Sequence, residues 1–182
     1  MGRKDMWISV IIISVVGTFL HFFYEMSGHN KYVALFAAVN ESTWEHIKIA
    51  LTPTLLRGLY DGFVYGLNPN YFIAKTLSLL VIILVIPIIF YSYTHFTKKA
   101  LLPIDIIIFY IAIVLGQLTF YFVVSLERFP FLYNYLGVVG LFIIFGCYMI
   151  LTLQPLQHFI FKDPISNKYG KEGHTELEHN HK

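Results

Sequence analysis

Two short stretches carry the residues able to do chemistry. His21 and Glu25 stand four residues apart, and Asn40, Glu41, Glu45 and His46 follow within a few positions of one another. Residues four apart on a helix point the same way. A histidine and a carboxylate so placed can supply two ligands to a divalent metal such as zinc, or a base with its orienting partner. We therefore read His21, Glu25, Glu41 and His46 as candidate metal ligands and Glu25 and Glu45 as candidate catalytic carboxylates. Neither HExxH nor a standard zinc spacing is present, so the pattern names a chemistry without naming a reaction.

Each of these residues also has a structural reading. Ser42-Thr43-Trp44-Glu45 matches a capping box, in which Ser42 caps a helix and Glu45 reaches back to it. Glu41 beside a helix N-terminus would complement the positive end of the dipole. His21 could bridge helices and Glu25 could anchor at the interface. Further polar positions are Arg57 with Asp61, which share a helical face and could neutralise each other, and Asp105, a helix cap or near-cap. Gln117 reads as glue between helices. Asn40-Glu41-Ser42 is formally a glycosylation sequon, set aside because it abuts an apolar run.

The elements that position these groups follow from composition. Of 182 residues, 57% are hydrophobic and 13% charged, against about 25% charged in an ordinary soluble domain. The net charge of +2 and the scattered Lys and Arg exclude a nucleic-acid partner. The single cysteine, Cys147, excludes an intramolecular disulfide. A bilayer-crossing helix needs about 20 mostly apolar residues, and the runs 6–26, 71–93, 103–126 and 130–154 supply them. Such runs must be helical, because lipid offers an open backbone no partner. The segment 44–66 is long enough to cross but carries Glu45, His46, Lys48, Arg57 and Asp61. We read it as a second, bundle-facing span kinked at Pro53. Residues 32–39, too short to cross, read as a re-entrant or interfacial piece. The expected fold is an all-α polytopic transmembrane bundle of about five spans, occupying residues 1–160.

The first span has a basic start but no small-x-small cleavage site, and is expected to be retained. Alternating helices bring His21, Glu25, Asn40, Glu41, Glu45, His46, Tyr93, His95, Asp105 and His158 to one membrane face. Lys and Arg fall eight to three in favour of that face, counting Lys48, which places it and the C-terminus in the cytoplasm. Residues 161–182 form a polar tail, expected to be disordered after 170, with His174, His179 and His181 in it.

The string His21-Phe22-Phe23-Tyr24-Glu25-Met26-Ser27-Gly28, the string Val39 to Lys48, and the exit Phe161-Lys162-Asp163-Pro164 ending at Tyr169-Gly170 resemble DUF6512, a domain of unknown function found in small prokaryotic multi-span membrane proteins. The resemblance implies a multi-span fold in a bacterial or archaeal cytoplasmic membrane and imports no activity. Three functions remain open. The first is a polar, metal-binding site at the cytoplasmic interface, serving hydrolysis of a membrane-proximal substrate. The second is a small transporter or channel using Asp61, Arg57 and helices broken at Pro53 and Pro87. The third is a non-catalytic subunit of a homo-oligomer or membrane complex, contacting its partner through lipid-facing Gly137 and Gly140.

Overall fold

The computed structural model describes residues 2–172. Among them are five α-helices: α1 (Arg3–Met26), α2 (Thr43–Tyr65), α3 (Tyr71–Thr97), α4 (Leu102–Ser125) and α5 (Phe131–Leu153). Helices α1, α3, α4 and α5 are each long and apolar enough to cross a bilayer. Their outward faces carry residues such as Phe19, Ile88, Phe122 and Phe142, all exposed, as a helix surrounded by lipid would. The chain is a helical bundle of membrane-protein character.

Helix α2 is the polar one, and its 23 residues make it about 34 Å long. It runs antiparallel to α1 along that helix's whole length. Its start meets His21, its second turn meets Gly17 at Ile49, and its last turn brings Tyr65 to Asp5. Its charges therefore lie inside the bundle, as expected for a second, bundle-facing helix. α1 packs on α2 and α4, while α3 packs on α2, α4 and α5.

Pro53 lies within α2 and Pro87 within α3, yet both helices continue through them. The broken helices expected for a transport pathway are not formed. Pro53 has no N–H for the carbonyl of Ile49 four residues back. α1 approaches that carbonyl at Gly17, where a Cβ would sit 2.8 Å from the Ile49 oxygen and 2.6 Å from Phe109. A small residue thus brings another helix against the carbonyl that proline leaves without a donor.

Residues 32–39 dip between the helices as a re-entrant piece around one 3-10 turn, Val33–Leu35. Three of its carbonyls, which a longer helix would satisfy internally, are taken by side chains. Lys48 Nζ donates to Ala34 at 3.0 Å, Tyr148 to Leu35 at 2.8 Å, and Thr52 to Phe36 at 3.2 Å. The tyrosine comes from α5, so that helix braces the segment.

Gly137 and Gly140 do not face lipid. A Cβ at Gly137 would collide with the α3 backbone at Phe72 and Ile73, and one at Gly140 with Thr76. Thr76 Oγ1 donates to the Gly137 carbonyl at 2.7 Å. These glycines let α5 approach α3 closely, so they are spent within the bundle. The histidines at 174, 179 and 181 lie outside the described residues.

Candidate metal centre

His21 is held on the last turns of α1, Glu41 just before α2, and His46 on the first turn of α2. Their side chains converge: His21, Glu41 and His46 each offer a donor atom, and the three atoms lie within 4.8 Å of one another. His21 Nε2 is 3.3 Å from Glu41 Oε1, and His46 Nε2 is 3.8 Å from Glu41 Oε2. All three are half-buried. The two imidazole rings stand 5.6 Å apart, tilted towards each other.

The orientation of His46 is fixed by a second hydrogen bond. Its Nδ1 lies 3.0 Å from the Ser42 carbonyl, which can only accept, so Nδ1 carries a proton. In a neutral ring Nε2 then presents its lone pair to Glu41. A lone pair facing a carboxylate is repulsive unless a positive charge lies between them, either a proton or a metal ion. Such backbone-held histidines are the usual arrangement around a metal. Burial pushes the Glu41 carboxyl up, but the hydrogen bond from His21 and the charges of His21 and His46 outweigh it and hold it below the ordinary carboxylate range.

Glu41 is itself positioned from far along the chain. Its backbone N–H donates to Asp163 Oδ1 at 3.2 Å, and Asp163 is fully buried. The other Asp163 oxygen accepts from the Ser166 N–H at 2.7 Å and its hydroxyl at 2.5 Å. Asn40 Nδ2 donates to the Gly170 carbonyl at 2.9 Å, and Phe161 lies against Trp44, with ring centroids 5.2 Å apart. The exit segment is thus folded onto the start of α2. Asp163→Ala should weaken metal binding at the cluster about tenfold or more, the usual effect of removing an outer-shell partner. Titration with cobalt(II) or zinc checks this.

The remaining expected residues take other places. Glu25 is exposed beyond the cluster and touches it only through its charge, which is felt at His21. Glu45 is buried and turned away. Its Oε2 accepts from Lys48 Nζ at 2.5 Å and from the Val39 N–H at 3.0 Å. The capping box is therefore not formed. Asn40 Oδ1, not Glu45, accepts the Ser42 N–H at 2.8 Å. Lys48 correspondingly is no surface cation of the loops but half of a buried pair. Asp105 accepts a hydrogen bond from Tyr93 and borders the cluster, within electrostatic reach of His46 and Glu41. Arg57 and Asp61 lie near the other end of α2 with Nε and Oδ1 2.9 Å apart, facing each other as expected.

Two residues escaped the sequence reading. Asp163 was legible only as part of the exit string. Lys75, wholly inside α3, was overlooked because the run around it is otherwise uncharged, although a lone lysine in a spanning run is itself the signal.

A model of the family of unknown function DUF6512 matches residues 1–171. The chain belongs to the DUF6512 family. The match covers both signature strings and the exit segment, which in this DUF6512 protein pack against one another around His21, Glu41 and His46. No curated protein and no solved structure matches the chain.

Proposed function

We propose that this DUF6512 protein holds a divalent metal ion between His21, Glu41 and His46 at one membrane face. The observation that carries the reading is the aim of two imidazole Nε2 atoms at one carboxylate. Bonds of about 2.0–2.1 Å at tetrahedral angles separate donors by about 3.3–3.4 Å. The 3.3 Å between His21 Nε2 and Glu41 Oε1 meets that spacing; His46 Nε2 stands 3.8 Å from the other carboxylate oxygen, and the three donors, within 4.8 Å of one another, would draw together around an ion.

Three protein ligands leave a fourth position open, as catalytic zinc sites do. A metal there would lower the proton affinity of a bound water and polarise a carbonyl or phosphoryl oxygen. Asp105, steadied by Tyr93, borders the site and could accept a proton. The half-buried position at the end of α1 suits a membrane-proximal or lipid-linked substrate, and the reaction class is metal-assisted hydrolysis.

The test is elemental analysis of detergent-purified protein, followed by titration of metal-stripped protein with cobalt(II). One equivalent bound in a four-coordinate visible spectrum supports the reading. Protein that neither retains nor takes up a divalent ion sinks it.

We further propose that the cluster lies on the cytoplasmic side of a prokaryotic cell membrane. Lys31, Lys98, Lys99, Lys162, Lys168 and Lys171 all fall at that end of the bundle, against Arg3, Lys4 and Arg128 at the other. A cysteine at position 99 should resist impermeant thiol reagents in intact cells, while one at position 68 should react. The reverse pattern would invert the orientation.

A further inference from the structure

Far from the His/Glu cluster, the interior between α2, α3 and α4 collects polar atoms that no hydrogen bond among the described residues satisfies. They are Arg57 Nε, both Asp61 carboxylate oxygens, Lys75 Nζ, Ser78 Oγ and both amide atoms of Gln117. Arg57 Nε and Asp61 Oδ1 form an ion pair at 2.9 Å whose angles fall short of a hydrogen bond. All five side chains are at least nine-tenths buried. Unsatisfied groups at this density are rare in a native interior and call for a polar occupant.

The neighbourhood is built to hold Lys75 in place. Its alkyl chain runs over Gly58, where a Cβ would come within 2.9 Å of Cε. Its ammonium lies 3.9 Å from the centre of the Phe120 ring. Asp61 and Arg57 both act on it electrostatically. From α2 the groups facing the site are Arg57, Asp61 and Tyr65; from α3, Lys75 and Tyr71; from α1, Asp5, half-exposed at the rim and accepting from the Gly2 N–H; from α4, uncharged Phe120 and Gln117.

Asp61 also lines a cavity of about 210 Å³ with Tyr65, Asn68, Tyr71 and Phe120, at the end of the bundle opposite the metal centre. A lone anion there would satisfy Lys75 and oppose Asp61; a lone cation would do the reverse. Water donates and accepts, and so fits both. Two buried cations against one buried carboxylate leave a positive charge without a partner. A guanidinium does not give up its proton, whereas a buried ammonium does so readily.

We propose that Lys75 is a proton-binding site within the membrane, exchanging its proton through a water-filled cavity by way of Asp61. In the step, Lys75 Nζ passes one proton to water at Asp61 and becomes a neutral amine. Arg57 keeps Asp61 as its counter-ion throughout. Only one face of the bundle is served, because the Asp61 cavity lies at the end away from His21, Glu41 and His46. The site thus has the one-sided access of a proton-coupling station.

The experiment is nitrogen NMR of full-length protein in detergent with labelled lysine side chains, assigning Lys75 by Lys75→Met. Lys75 should titrate more than about one pH unit below the surface lysines. Asp61→Asn, by removing the counter-charge, should move that titration further down. Should Asp61→Asn not fold, the wild-type titration alone decides. A Lys75 signal that titrates with the surface lysines, or stays ammonium over the whole folded range, overturns the proposal. So does a Lys75 signal that responds to chloride but not to pH, which would mark an anion site instead.

Discussion

Replacing His21 or His46 by alanine should lower divalent-metal affinity by at least about a hundredfold while leaving the bundle folded. In the proposed centre each histidine would supply one of the three ligands found among the described residues, so its loss would remove a bond that the half-exposed surroundings cannot replace. Neither ring is buried enough for its removal to open a large cavity, so thermal unfolding of the metal-free protein should shift little. The titration to run is cobalt(II) or zinc against metal-stripped protein, with circular dichroism as the control for folding. Because the histidines must be neutral to bind, affinity should also fall as pH is lowered and protons compete for the imidazoles. Alanine variants that bind metal as wild type does would dissolve the centre. Glu25→Ala, by contrast, should change affinity only modestly, since Glu25 reaches His21 through charge alone.

Glu45→Ala should destabilise the protein by about 3–5 kcal/mol, the cost of stripping a buried ion of its partner. Lys48 is fully buried, and among the described residues its ammonium has two acceptors, Glu45 at 2.5 Å and the Ala34 carbonyl at 3.0 Å. Removing Glu45 also frees the Val39 N–H and loosens the re-entrant turn. The double change Glu45→Gln with Lys48→Met removes both charges and should recover much of the loss. Denaturation in mixed detergent micelles measures both. A loss below about 2 kcal/mol for Glu45→Ala, the upper limit for a capping residue, would show that the pair is not stabilising. A loss of metal binding in Glu45→Ala, larger than loosening of Glu41 explains, would instead place Glu45 among the ligands.

The spans were legible because a bilayer enforces a simple rule: long apolar runs must be closed helices. Helix alternation then brought His21 to the level of Glu41 and His46 without any knowledge of packing. Side-chain direction was not legible in the same way. Glu45 and His46 are neighbours in sequence, yet one turns inward to Lys48 and the other towards Glu41. A helical step of about 100° per residue separates them, and which of the two meets the site depends on where α1 lies. Gly137 and Gly140 were misread for the same reason, since small residues suit a lipid-facing dimer seam and an internal one equally. Lys75 shows the opposite failure: its type was informative and its apolar setting hid it.

The hydrogen bond from Glu41 to Asp163 joins residues 122 positions apart. During synthesis, α1 and α2 enter the membrane long before Asp163 has been made. His21 and His46 can therefore be brought together early, while Glu41 is locked only once the final span is in place and the exit segment folds back. Assembly of the proposed centre is thereby tied to completion of the chain, and nascent forms would carry the histidines without the Asp163 tether on Glu41. A ribosome-stalled intermediate ending after α5 should accordingly reach its full complement of helices before it acquires tight metal binding.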